Sequence, residues 1–352
     1  MFTINKIAET DSDVFNKYII SSPYSSIYQT FEWGEIKKTD GWDVIRFIIR
    51  DNEEIIGAFS ALTKKVPLLN IVYMYIPRGP VVDYNSSKKP AVLKFVIDYL
   101  KEYCKKNNIV YVRINPDLPY NEDNKNLLES LGLKKSNNPI LHTATFRLNL
   151  LDSEEQILKN FESRIRHDIK KAETQEVKII NSNDLSNFNI FYDLLNTVSE
   201  KNKFPIYSYK LMKTIWEVLS EKNMCRIFIT EYNGVFLSGA FLLLAGKKCI
   251  YQWGGSIRSE MKINPNQFMH WEIIKWLKNN HYTSYDFQGV KENVEKGDPL
   301  WGIYLFKRGF SGDYVKLVGE YDLVVSEYLY SIIVKAEPYY PKLKILLNKI
   351  IK

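Results

Sequence analysis

Two stretches of this chain repeat the same order of elements, and that duplication limits the folds open to it more than any single motif does. Residues 42–64, WDVIRFIIRDNEEIIGAFSALTK, read as an apolar strand, an Asp51-Asn52 turn and a second strand carrying Gly57-Ala58-Phe59. Residues 225–248, CRIFITEYNGVFLSGAFLLLAGKK, repeat this with an Asn233-Gly234 turn and Gly239-Ala240-Phe241. IVYMYIPRGPVV (71–82) then matches CIYQWGGS (249–256), each strand-like and ending at a glycine. Two helices follow, over 88–108 and 264–280, each opening near a proline with apolar residues at i, i+3, i+4 and i+7. Strands YVRINP (111–116) and YDFQGV (285–290) come next. Finally, NLLESLGLKK (126–135) matches YLFKRGFSG (304–312) as a short helix ending at a glycine.

Two units of this β-β-β-α-β-α order predict an α/β (mixed α+β) protein with two tandem domains. The order resembles the acyltransferase fold named GNAT, whose adjacent central strands splay to admit an acyl donor. Helices over 10–21 and 27–38 lead into the first unit. The stretch 146–173 predicts a strand and one long helix that opens the second unit, with Asp152 or Ser153 as its N-cap. The strand GEYDLVVS (319–326) follows the close of the second unit and is expected to return to the first domain. The expected boundaries are therefore 1–145 plus 318–352 for the first GNAT-like domain and 146–317 for the second.

The chain has 352 residues, enough for two cores, and a net charge of +7 that suits a polyanionic partner or serves solubility alone. Cys104, Cys225 and Cys249 are odd in number and widely spaced, and His142, His167, His270 and His281 are scattered, so neither a disulfide framework nor a metal site is expected. The N-terminus lacks an apolar signal segment and no apolar run is long enough to span a bilayer, which predicts a cytoplasmic protein.

The chemistry starts from an absence. A CoA-dependent GNAT protein binds pyrophosphate at a helix N-terminus with a Gln/Arg-x-x-Gly-x-Gly/Ala turn, and neither RGPVVDYNSSKKP nor GGSIRSEMKINPNQ fits it. No Walker or GxGxxG motif and no nucleophile elbow occur. Acyl transfer from an activated ester needs only an orienting pocket and a positive group for the oxyanion. Lys307, beside Phe306 and before Gly309-Phe310, suits that role or is a solvated charge at a helix end. Arg164, Arg166, Lys170 and Lys171 form a basic run that suits RNA phosphates or a solvated helix face. The basic amphipathic tail 341–352 suits either an anionic membrane surface or docking on the first domain.

Taken together, SSPYSSIYQTFEWGEIKK, YIPRGPVV, the element from Arg164 to Ala172, IYQWGGS, HWEIIKWL, YDFQGV, YLFKRGFSG and GEYDLV resemble, in the same order, the blocks of the FemABX family of Fem-type peptidoglycan bridge aminoacyltransferases. The resemblance covers nearly the whole chain. Residues 173–225 leave no room for the long helical hairpin of some members, so it points to the compact branch. It implies transfer of Gly, Ala or Ser from aminoacyl-tRNA to the stem-peptide amine of lipid II or UDP-MurNAc-pentapeptide, with no CoA. It implies that Lys37, after Trp33, contacts precursor phosphates, and that Phe306 and Lys307 form the pair at the oxyanion. Tyr251 would line the acceptor site, with Trp253 where a Tyr is found, Asn115 where compact members can have Asp, and Tyr209 as the aligned residue of NKFPIYSYK. Arg164, Arg166, Lys170 and Lys171 would contact tRNA. The competing expectations are another GNAT-type N-acyltransferase acting on protein or lipid, and a non-catalytic RNA- or membrane-binding protein.

Overall fold

The computed structural model describes residues 1–66, 71–257 and 264–336. In chain order the first elements are β1 (Phe2–Lys6), α1 (Ser12–Ser21), α2 (Phe31–Thr39), β2 (Asp43–Asp51), β3 (Glu54–Val66), β4 (Ile71–Pro77), β5 (Val81–Val82), α3 (Lys89–Lys106), β6 (Ile109–Asn115), α4 (Glu122–Ser130) and β7 (Lys134–Lys135). Next come β8 (Ala144–Asn149), α5 (Glu154–Asn160), α6 (Ser163–Thr174), β9 (Lys178–Ser182), α7 (Leu185–Asn202), α8 (Tyr209–Glu221), β10 (Cys225–Tyr232), β11 (Val235–Ala245) and β12 (Lys248–Ser256). The last are α9 (Pro265–Asn279), β13 (Ser284–Val290), α10 (Trp301–Arg308), β14 (Asp313–Lys316), β15 (Tyr321–Val324) and α11 (Glu327–Ala336).

The chain divides into two compact units, one of Met1–Tyr24, Gly41–Leu141 and Leu317–Lys352, the other of Ser25–Asp40 and His142–Lys316. The first unit's sheet runs β1-β2-β3-β4-β6-β15-β7, and the second's runs β14-β8-β13-β12-β11-β10-β9. The repeat is visible in this order. β2, β3, β4, α3, β6 and α4 correspond to β10, β11, β12, α9, β13 and α10. In each unit the strand after the last repeated strand is brought from elsewhere in the chain. β15 pairs antiparallel with β6 in the first unit, and β8 pairs antiparallel with β13 in the second. The β10–β11 hairpin closes through Asn233 and Gly234, both with positive φ (49° and 79°), the backbone that a two-residue type I′ turn requires.

The two units differ at the centre. β4 and β6 stay paired to their ends, at Pro77 and Asn115. β12 and β13 pair only at Lys248–Ser284, Cys249–Tyr285 and Ile250–Asp286, and then part. The GNAT-type splay therefore belongs to the second unit alone. A bulge in each strand marks it: Gln252 is the extra residue of β12 against β11, and Phe287-Gln288 lie opposite Phe146 of β8.

Several expectations need correction. The predicted long helix breaks into α5 and α6, because Phe161 turns extended (ψ 149°) and Glu162 N donates to Gly309 O at 2.9 Å, a tertiary bond that periodicity cannot show. Ser153 is the α5 N-cap, accepting from Gln156 N at 3.2 Å. Residues 25–40 belong to the second unit, not the first. Ile27, Tyr28, Trp33 and Ile36 are buried in one apolar cluster with Met212 and Ile215 of α8 and Phe188 and Phe191 of α7. No described helix is long and apolar enough to cross a membrane, and the basic tail 341–352 lies outside the described residues.

Candidate active site

Lys307 lies on α10, whose inward face packs on the second unit's core. Phe306 is half-buried there, its ring 5.2 Å from His270 and 5.3 Å from the fully buried Phe310. The C-terminal end of α10 is tied to α6 and the residues before it. Besides the Glu162 N–Gly309 O bond, Arg308 Nε donates to Glu162 Oε1 at 3.1 Å, and Arg164 donates to Leu305 O in the helix's last turn. The bond from Arg164, and then that from Arg308, holds the Glu162 carboxyl below its usual range.

Lys307 is only 7% exposed. Its Nζ donates to Gln288 O at 3.0 Å and Gly289 O at 2.9 Å, consecutive carbonyls of the β13 bulge. Among the described residues its third N–H has no partner. Burial pulls its pKa down to about 8, against the attraction of Asp286, which raises it. Asp286 itself accepts from Thr145 Oγ1 at 2.5 Å, Gln288 N at 2.8 Å and Arg147 Nε at 2.8 Å. The result is a desolvated ammonium beside the splay of β12 and β13, with one N–H available to a developing negative charge.

An aromatic wall backs it. His270 of α9 is fully buried, with Nδ1 2.8 Å from Tyr285 Oη, and its Nε2 finds no hydrogen-bond partner among the described residues. Burial, helped by the Lys307 charge, holds its pKa at about 3, so the ring is neutral at pH 7. Tyr251 of β12 meets it edge-on at 4.5 Å. Tyr251 lies across Gly254: a Cβ there would come within 2.1 Å of the Tyr251 hydroxyl and 2.6 Å of its ring. Gly254→Ala is therefore expected to displace Tyr251 and to lower stability by about 1–3 kcal/mol. Adding Tyr251→Ala should relieve much of that loss in a double-mutant cycle of denaturant midpoints; purely additive losses would contradict the contact.

The other expected residues divide. Trp33, 7% exposed, packs edge-on against Tyr28 at 5.0 Å, and Tyr28 in turn bonds Gln252 and Gln288, so α2 joins the Lys307 surroundings. Lys37 forms an ion pair with Asp40 at 2.5 Å at the end of the same helix. Trp253 packs against Phe241 at 5.4 Å and Tyr207 at 5.8 Å. Tyr209, at the start of α8, bonds Asn189 at 2.8 Å and packs on Tyr192 and Phe188; its described contacts do not lead to Lys307.

Asn115, in the first unit, departs from the expectation of a substrate contact. It is fully buried, with Oδ1 accepting from Arg78 Nη1 at 3.0 Å and Nδ2 donating to Glu320 Oε1 at 3.1 Å. Its amide holds Arg78 and offers no surface of its own. Arg164 and Arg166 are both exposed on α6, and each also donates within the fold. Arg164 serves α10 as above, and Arg166 donates to the carbonyls of Lys159 and Phe161 at the end of α5. Lys170 is exposed on α6 and Lys171 half-buried. Tyr28, Gln252 and Gln288 were missed by sequence reading, although IYQWGGS and YDFQGV each place a glutamine at the parting of the strands. No group of three or more His, Cys, Asp or Glu that could hold a metal occurs among the described residues.

The family model described as "FemAB family" matches residues 10–143 and 209–337. A lipid II:glycine glycyltransferase of Staphylococcus epidermidis is 25% identical over 406 aligned residues, covering 95% of this chain and 96% of the relative. That alignment is longer than the 352 residues of this chain, so the relative carries residues this chain lacks. Among solved structures, FemX has a TM-score of 0.86 at 22% identity, covering 94% of this chain and 100% of that one. A tandem GNAT protein from the clavulanic acid pathway has a TM-score of 0.53 at 7% identity, covering 93% and 99%. Both are likenesses of fold.

Proposed function

This chain belongs to the FemAB family and is an aminoacyltransferase of the Fem type, and we propose that it moves a small amino acid, glycine first, from aminoacyl-tRNA to the stem-peptide amine of lipid II. The observation that carries this reading is the buried Lys307 ammonium beside the splayed strands, with one N–H uncommitted. The choice of glycine and lipid II follows the activity named for the staphylococcal relative.

In the proposed reaction the acceptor amine attacks the ester carbonyl. A C–N bond forms, Lys307 stabilises the oxyanion, the ester C–O bond breaks, and the amine proton ends on the departing ribose oxygen. Proton transfer between substrates suits this site. His270 is a poor base at pH 7, and Asn115 has no ionisable proton. The tRNA donor makes a CoA loop unnecessary. Lys37 is proposed to meet the precursor's phosphates, exchanging its bond with Asp40 for them, with Trp33 holding the helix in place. The basic run of Arg164, Arg166, Lys170 and Lys171 is proposed to meet tRNA. The basic tail is proposed to hold the protein at the inner face of the membrane, where lipid II is presented.

The test is an in vitro transfer assay with tRNA pools charged with Gly, Ala or Ser, offered lipid II or UDP-MurNAc-pentapeptide and read by mass spectrometry. The expected product is a precursor heavier by one glycine residue. No product from any pairing, or acylation from acetyl-CoA in the absence of tRNA, would overturn the proposal.

A further inference from the structure

Three polar side chains meet where β12 and β13 part, and no step of the reaction uses them. Gln288 Nε2 donates to Gln252 Oε1 at 2.7 Å and to Tyr28 Oη at 2.9 Å, and Tyr28 Oη donates to Gln252 Oε1 at 2.6 Å, which closes a ring. We propose that this ring is a positioning device for Lys307: it fixes the β13 bulge whose carbonyls grip the ammonium, and so aims the remaining N–H. The inference rests on the reading of Lys307 as the group that stabilises the oxyanion.

The backbone at Gln288 shows why such a device is needed. Its φ is +64°, in the left-handed region that a side chain other than glycine's disfavours and that persists only where the surroundings hold it. This conformation turns Gln288 O and Gly289 O toward one Nζ, where a regular strand would send successive carbonyls in opposite directions. Ladder bonds to β12 cannot hold the segment, because pairing ends at Ile250 and Asp286. The side chain of Gln288 takes their place, tying β13 to the β12 bulge at Gln252 and to Tyr28. Its Oε1 also accepts from Gly289 N at 3.2 Å, and Gln288 N donates to Asp286 Oδ1 at 2.8 Å.

The titratable groups facing Lys307 leave the carbonyl grip as the adjustable influence on its charge. Asp286 of β13 attracts the ammonium and is itself held by Thr145 and Arg147 of β8. His270 of α9 is neutral at pH 7, and burial raises the pKa of Tyr251 on β12 and Tyr285 on β13. Glu162 and Arg308 pair with each other at the helix end. Loosening the grip withdraws acceptors from the charged form and makes Lys307 easier to deprotonate.

The experiment uses the full chain carrying Gln288→Leu, Gln252→Leu or Gln252→Glu. Gln252 enters the ring through its oxygen, so the glutamate keeps both acceptor bonds and the leucine loses them. The two leucine variants are expected to lower kcat on the order of tenfold or more with KM for either substrate little changed. The alkaline limb of their activity should move to lower pH, and Lys307 itself, followed by 13Cε NMR, should titrate about one pH unit lower than in wild type. Gln252→Glu is expected to retain kcat and show no downward shift. The proposal fails if Lys307 titrates unchanged in both folded leucine variants, or if Gln252→Leu and Gln252→Glu behave alike. A lower Lys307 titration with transfer undiminished supports the positioning device and overturns the oxyanion role, so the two readings are separable.

Discussion

Replacing Lys307 by methionine is expected to lower kcat about 100- to 1,000-fold, the range seen when one oxyanion donor is removed, while precursor affinity stays close to wild type. Methionine keeps the length and apolar packing of the side chain, so the loss would fall on charge and the N–H. The pH dependence follows from the same burial. The charged form prevails below about pH 8, and the Lys307-dependent rate should decline as pH rises through that value. Stability moves in the opposite sense to activity. The folded pKa is depressed from 10.5 to about 8, so below pH 8 the fold holds a charge that the unfolded chain solvates better. That costs about 3 kcal/mol at neutral pH, and the cost lifts between pH 8 and 10.5. In the variant, the carbonyls of Gln288 and Gly289 lose their donor, which offsets much of the relief. Lys307→Met should therefore stay within about 2 kcal/mol of wild-type stability at pH 7. Denaturant unfolding beside steady-state kinetics checks this. Near-normal turnover would remove Lys307 from the mechanism, and a collapse in stability would make it a structural residue.

Asp322→Ala is expected to destabilise the first unit by about 3–5 kcal/mol, the usual result of stranding one member of a buried ion pair. Asp322 of β15 faces Arg113 of β6, with Nε–Oδ1 at 2.8 Å and Nη2–Oδ2 at 3.0 Å, side chains 0% and 4% exposed. The pair is fully bonded: Arg113 Nη1 also donates to Asn138 O at 3.1 Å, and Tyr330 of α11 donates to Asp322 Oδ2 at 2.9 Å. Two positions earlier on the same face, Glu320 accepts from Tyr75 Oη, Asn115 Nδ2 and the backbone N–H groups of Ile140 and Leu141. These carboxylates fasten the strand that arrives from the far end of the chain. Removing both charges, as Arg113→Met with Asp322→Leu, should recover most of the loss. An Asp322→Ala midpoint within experimental error of wild type would show that β15 is held by its ladder alone.

The repeat was legible because each copy carries local signals: two apolar strands about a short turn, Asp51-Asn52 in one and Asn233-Gly234 in the other, and a proline near a helix start. Each of these is set by residues a few positions apart. Boundaries came out close, α9 being Pro265–Asn279 where 264–280 was expected. The failures share a cause. The helix over 154–174 breaks because Glu162 bonds Gly309, and α2 joins the second unit because its apolar face fits α7 and α8. The carbonyls that Arg164 and Arg166 cap were not legible either, because a sequence shows charge and not hydrogen-bond partners. Gln252 and Gln288 were silent because one glutamine in a strand makes no pattern, and a bulge is a property of two strands together.

The sequence by itself determined the duplicated architecture, the family and the position of Lys307 at the end of the second unit, since these reside in the order of local elements and in motifs. Only the tertiary structure decided that the strands splay in one unit and not the other, that Lys307 is buried and held by two consecutive carbonyls, and that Asn115 is spent on Arg78 and Glu320. Desolvation and hydrogen-bond direction set the chemistry of such groups. Both depend on residues brought together from distant parts of the chain, which no local pattern encodes.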